Sequence, residues 1–181
     1  MPQLKITNIQ ANPVEGGQVT GQAAYEITPT GQIRASLKAE QMPGDAIAQL
    51  YGASPALTVG PVDAQVTVVG APTSPKTTAE FQAPLALYAT EGSVVIERDV
   101  TQLRNIVSQV AQGKVFTEGK IQDGQLWAQI QPRGLVLETF SPELKGLLDG
   151  SLQVSTPLEN ASAQTLRACG RKPFVTATRS C

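Results

Sequence analysis

A chain of 181 residues is long enough for one domain, yet only 4% of it is aromatic against 41% hydrophobic overall, so it lacks the rings that usually anchor a globular core and points to a thin layer or an open sheet. The formal charge of −1 supplies no global positive field to hold nucleic acid or an anionic membrane. Absence of histidine removes Ser-His-Asp and Cys-His catalysis, the commonest general base and nearly every catalytic zinc site.

The first residues, MPQLKITNIQ, lack the charged head and apolar core of a signal peptide, and a strand-like pattern begins at once with Leu4 and Ile6. We expect a piece of a longer protein. Residues 8–21, NIQANPVEGGQVTG, are glycine-rich but have neither the lysine and Ser/Thr of a P-loop nor GxGxxG spacing, so a turn between strands is expected. In GQIRASLKAE, Ile33, Ala35, Leu37 and Ala39 fall on one face and Arg34, Ser36, Lys38 and Glu40 on the other, the pattern of a half-buried strand. MPGDAIAQLYG places Ala46, Ile47, Leu50 and Tyr51 at helical spacing between Pro43 and Gly52, a brief helix. Alternation returns in VDAQVTVVG, with Val62, Ala64, Val66 and Val68 opposed to Asp63, Gln65 and Thr67.

In TQLRNIVSQVAQG (101–113), Leu103, Ile106, Val107 and Val110 match the helical template i, i+3, i+4, i+7. Further on, GQLWAQIQ aligns Leu126, Ala128 and Ile130, and GLVLET aligns Leu135 and Leu137. SPELKGLLDG sets Leu144, Leu147 and Leu148 behind Ser141 and Pro142, which predicts a second brief helix. GSLQVS then aligns Leu152 and Val154. The tail gathers Arg167, Arg171, Lys172 and Arg179, read as solvated charge. It also holds Cys169 and Cys181, which either close a short disulfide loop in an oxidising compartment or remain two unrelated thiols.

One pattern occurs twice. Asn8-Ile9 returns as Asn105-Ile106, Gly17-x-Val19 as Gly113-x-Val115, TGQIRASL (30–37) as DGQLWAQI (123–130), VDAQVTV (62–68) as LDGSLQV (148–154), and residues 70–81 echo in 155–166. The counterpart of 101–113 holds Pro13 and shows no helical stripe, so 101–113 is expected to be a strand. The expected organisation is a first β-rich module over 1–100, a shorter second one over 101–166 and a tail over 167–181, in one continuous unit.

The order of these motifs resembles the repeated β-rich region of TamB-type proteins of the AsmA-like superfamily, especially their cyanobacterial and plastid members. The residues carrying the likeness are Asn8, Ile9, Gly16, Gly17, Val19 and Gly21; Gly31, Ile33 and Leu37; Pro43, Asp45, Ala46, Leu50, Tyr51 and Gly52; and Gly60, Val62, Asp63, Val66, Val68 and Gly70. The resemblance implies an all-β fold: an elongated, curved antiparallel sheet forming an open U-shaped trough, with two short helices. It implies a non-enzymatic role between two membranes, in the periplasm or an intermembrane space. The parent would be anchored in the inner membrane and would work with a BamA-like outer-membrane barrel. Its cargo would be phospholipid, nascent outer-membrane β-strands, or both.

A sheet with one apolar face needs a cover, and exposed apolar surface marks a binding site. The lipid-groove candidates are therefore Ile33, Leu37, Val62, Val66, Val68, Leu126, Ile130, Leu135, Leu137, Leu152 and Val154. No cofactor, catalytic group or metal site is expected. Asp63 and Asp149 occupy equivalent places before a strand, which favours a turn or cap role over acid/base work. Trp127 stands where the first copy has Arg34, on the outward face, as a packing or contact residue. Two other classes remain: an adhesin-like interaction module closed by a second sheet, and a carbohydrate-active enzyme on a β-solenoid. The second is disfavoured by the lack of histidine and of a non-repeated acidic cluster.

Overall fold

In a computed structural model, residues 2–12, 16–28, 31–50 and 58–157 are described. The strands are β1 (Gln3–Ala11), β2 (Gln18–Glu26), β3 (Ile33–Pro43), β4 (Pro61–Ala71), β5 (Ser74–Ala83), β6 (Thr90–Glu97), β7 (Val100–Val110), β8 (Gly113–Gln122), β9 (Gln125–Arg133), β10 (Leu135–Val136), β11 (Leu147–Leu148) and β12 (Leu152–Pro157), with one α-helix, α1 (Gly44–Leu50), after β3. Ten strands form one antiparallel sheet in chain order, β1 to β9 and then β12, while β10 and β11 pair separately. The ends of the sheet, β1 and β12, do not meet, so it is open. Among the described residues no second sheet is large enough to close a sandwich over it.

Direct hairpin connection explains the order, since antiparallel neighbours need only short turns. Asp123 and Gly124 both hold positive φ between β8 and β9, as a two-residue hairpin with the right twist requires. The longer connections gather at the opposite end. There α1 follows β3, residues 84–89 follow β5, and residues 134–151 follow β9. Backbone bonds tie this end together: Leu87 N–H donates to Thr58 C=O at 2.8 Å, and Val136 N–H to Ala111 C=O at 2.9 Å.

The scarcity of rings has its expected consequence. Only Ala83 (4% exposed), Val95 (6%) and Leu135 (5%) are buried hydrophobics among the described residues. A sheet ten strands wide is thus held by its backbone ladder and lateral side-chain contacts, with no enclosed core beneath it.

Two expectations meet this structure differently. Within the expected strand 101–113, residues 101–110 do lie in β7, which then turns at 111–112 into β8. Their helix-like spacing comes from a β-bulge between Leu103 and Ile106, where Asn105 adopts φ +50°. The extra residue brings side chains three apart onto one face, which mimics a helical stripe. The second helix is a correction: residues 141–148 are not helical. Leu137–Thr139 make a single 3-10 turn, Gly146 takes φ +115°, and Leu147 and Leu148 pair with Val136 and Leu135. A strand partner outside the segment overrides the local helix punctuation. GLVLET is likewise not a continuous strand, because the chain leaves β10 after Val136.

Tyr51 and Gly52, residues 158–166 and the tail with Cys169, Cys181 and its basic residues lie outside the described residues.

Candidate functional site

Directly opposed residues on neighbouring strands share a face, so the register assigns every side chain to one side. Starting from Leu37 in β3, one row runs through Gly21 to Ile9 in one direction. In the other it runs through Val66, Ala79, Val94, Leu103, Gly119, Ala128 and Val154. The row crosses all ten strands without one polar side chain. The next row begins Ile6, Ala23, Ala35 and Val68 and ends Ile121, Leu126 and Thr156, interrupted only by threonines. Nearly all these residues are half-buried, shielded laterally by one another.

Ile33, Leu37, Val62, Val66, Val68, Leu126, Ile130, Leu152 and Val154 all stand on this apolar face. Leu135 and Leu137 do not. Leu135 is buried in the small β10–β11 pair and Leu137 begins the 3-10 turn, both beyond the end of the sheet. Several residues that complete the apolar rows escape sequence reasoning. Val94 lies in the unbroken run Val94-Val95-Ile96, which has no alternation. Ala79 lies among threonines and charges, and Leu103 is disguised by the bulge.

Large side chains on this face lean over glycines. A Cβ on Gly21 would come within 2.7 Å of Leu37 Cδ2, and one on Gly119 within 3.3 Å of Leu103 Cδ1. These side chains occupy the space above the glycines. Five recesses of about 140 to 730 Å³ open on the polar face instead, and the apolar face carries none of them.

The polar face is a solvated charge lattice. Lys38 and Glu40 form an exposed ion pair at 2.7 Å. The hydrogen bond to Glu40, and then its charge, hold the Lys38 amine above its ordinary value. Glu97 opposes Lys76 across β5 and β6. Trp127 stands on this face, 43% exposed, opposite Lys120 and Ser155. The two aspartates singled out in the sequence make turn contacts. Asp63 Oδ1 accepts the N–H of Gln41 at 2.9 Å, and Asp149 Oδ1 accepts that of Gly134 at 3.0 Å. Gln41 stands at the bulge inside β3 and Gly134 just past the end of β9, at equivalent positions of the two copies, and both have left-handed φ, +54° and +61°.

Among the described residues there is no group of three or more His, Cys, Asp or Glu side chains placed to hold a metal, and no helix long and apolar enough to cross a membrane. Fold and surface together define an open, all-β meander with one apolar and one polar face. Comparisons with protein-family models, with curated proteins and with solved structures return no match in any of the three.

Proposed function

We propose that this chain is a repeat-bearing part of a TamB-type envelope protein, and that its apolar sheet face carries lipid acyl chains between membranes, with nascent outer-membrane β-strands as a related cargo. The carrying observation is the row from Ile9 to Val154, apolar on every one of ten strands and left uncovered by the described residues. An acyl chain needs a continuous greasy path without directional chemistry. Uncovered apolar surface of this extent is unusual in a protein that has no ligand for it. On this reading the sheet would curl about this face into a trough, and the close approach of Leu37 to Gly21 is compatible with such curvature. That none of the five recesses opens on this face suits passage along it better than capture in one pocket. The setting is the periplasm or an intermembrane space. The parent is anchored in the inner membrane and a BamA-like barrel receives the cargo.

The test is binding of a fluorescent fatty acid or phospholipid to the purified chain, together with native mass spectrometry for co-purified lipid. Saturable binding, displaced by unlabelled phospholipid, is expected. A chain that binds no lipid and takes up no apolar dye would end the acyl-chain reading.

A further inference from the structure

Several side chains differ between the two copies on the face opposite to the apolar rows. A recess of about 630 Å³ opens there across β7, β8, β9 and β12, and one of about 520 Å³ opens across β1 to β4. The two recesses are the same place in the repeat. Each lies beside the bulge of the first strand of its copy, between Ile6 and Ile9 or between Leu103 and Ile106. Each is floored by backbone at matched positions, Ile6, Ala23 and Ala35 in one and Leu103, Gly119 and Ala128 in the other. The fold therefore makes the hollow, and the side chains around it are free to differ. They do: Thr7 becomes Arg104, Ala24 becomes Lys120, Arg34 becomes Trp127, Ser36 becomes Gln129 and Thr67 becomes Gln153.

We infer that the recess walled by Trp127 is a binding site for a saccharide. The only tryptophan of a ring-poor chain stands on the polar face, 43% exposed, where burial does not account for it. An indole face is a platform for the C–H face of a pyranose ring. Around it stand planar polar groups: the amides of Gln129 and Gln153, the Glu118 carboxylate and the Arg104 guanidinium. Two N–H groups of Arg104 donate to Gln102 Oε1, one of them at 2.9 Å, so its guanidinium is already oriented. Sugar hydroxyls both donate and accept, and amides, a carboxylate and a guanidinium together satisfy both demands. Other ligand classes fit less well. Glu118 leaves a net of one positive charge from Arg104 and Lys120, short of the run of cations that a phosphate backbone needs. One ring is no cage for a quaternary ammonium, and the polar rim repels an acyl chain. The volume lies within the 300 to 1,000 Å³ or so of small-molecule sites.

Because Trp127 is the sole tryptophan, emission of the full chain excited at the red edge, where its three tyrosines do not absorb, reports on this recess alone. Cellotriose, maltotriose and triacetylchitotriose are titrated separately, which distinguishes plain from N-acetylated glycans. A saturable emission change is expected with at least one trisaccharide. Replacing Gln129→Ala together with Gln153→Ala should weaken it about tenfold or more, as expected for lost hydrogen bonds, with circular dichroism unchanged. Arg34→Ala, in the equivalent hollow, should leave it intact. The inference is overturned if no trisaccharide saturates, if the response survives the double substitution, or if Arg34→Ala weakens it equally. It is also overturned if a thymidine oligonucleotide or phosphatidylglycerol vesicles give the response and the sugars do not. The site uses the face opposite to the lipid rows, so it stands or falls independently of the acyl-chain reading.

Discussion

Leu37 and Ser36 are chain neighbours on opposite faces of β3, which makes them a matched pair for testing where cargo runs. Leu37→Asp places a carboxylate in the centre of the apolar row, between Gly21 and Val66. Leu37 is half-buried, so its replacement forfeits roughly half the value of a fully buried leucine, about 1 kcal/mol. The new charge stays in contact with solvent and avoids the large cost of burial. The sheet should therefore persist, with a modest fall in its urea midpoint. The effect on cargo should be larger. A carboxylate that repels an acyl chain over one strand spacing, about 4.8 Å, removes contact with about three or four methylenes. At about 0.8 kcal/mol each, that is a loss of roughly 100-fold in affinity. Fluorescent fatty-acid titration measures it, with circular dichroism to verify the sheet. Ser36→Asp, on the polar face, should bind as the unaltered chain does. Equal binding by Leu37→Asp in a folded sheet, or equal weakening by Ser36→Asp, would refute the assignment of cargo to the apolar face.

Gly21→Ala should destabilise the sheet by about 1 to 3 kcal/mol, the usual range for overpacking, because the added Cβ collides with the Ser36 carbonyl oxygen and with Leu37. Gly124→Ala meets nothing within 4 Å but must hold φ +68°, so backbone strain alone should cost it about 1 kcal/mol. Urea denaturation ranks the two, and a larger loss at Gly124 would contradict the close packing of β2 on β3. Asp63→Ala and Asp149→Ala should each cost about 1 kcal/mol through the lost bond to backbone. Hydrogen exchange should quicken at the Gln41 and Gly134 amides respectively; unchanged exchange at both would remove their role in the turns.

How far the fold could be read from the sequence depended on where its information lay. Strands β3, β4, β9 and β12 were legible because each has one apolar and one polar face, a property of a few adjacent residues. Strand β6 was not, because Val94-Val95-Ile96 places Val95, one of three buried hydrophobics, on the polar side. β7 was legible only through its counterpart, since the bulge at Asn105 shifts the period by one residue. The false helix at 141–148 had good local punctuation and a better partner elsewhere, in Leu135 and Val136. The site divided in the same way. Nine of the eleven groove candidates lie on the apolar face, because alternation reports facing directly. Leu135 and Leu137 were lost because leaving the sheet is decided by tertiary connection.

The two copies also provide an internal comparison. Equivalent positions on the apolar face keep their character: Ile6 and Leu103, Ala35 and Ala128, Leu37 and Ile130, Val66 and Leu152, Val68 and Val154. The bulge of the first strand recurs, and so do the aspartate contacts, so the two copies share this part of the strand plan even though α1 follows β3 and a 3-10 turn follows β9. On the polar face the same comparison gives Ala24 against Lys120 and Arg34 against Trp127. If the apolar face mattered only for stability, it would need a cover, and the described residues provide none. If it mattered for nothing, it would be free to acquire charge as the other face does, since a surface open to water tolerates charge cheaply. An uncovered face that stays apolar in both copies is what the proposed acyl-chain cargo requires. The variable face is then where one copy can take on a separate ligand without disturbing the first.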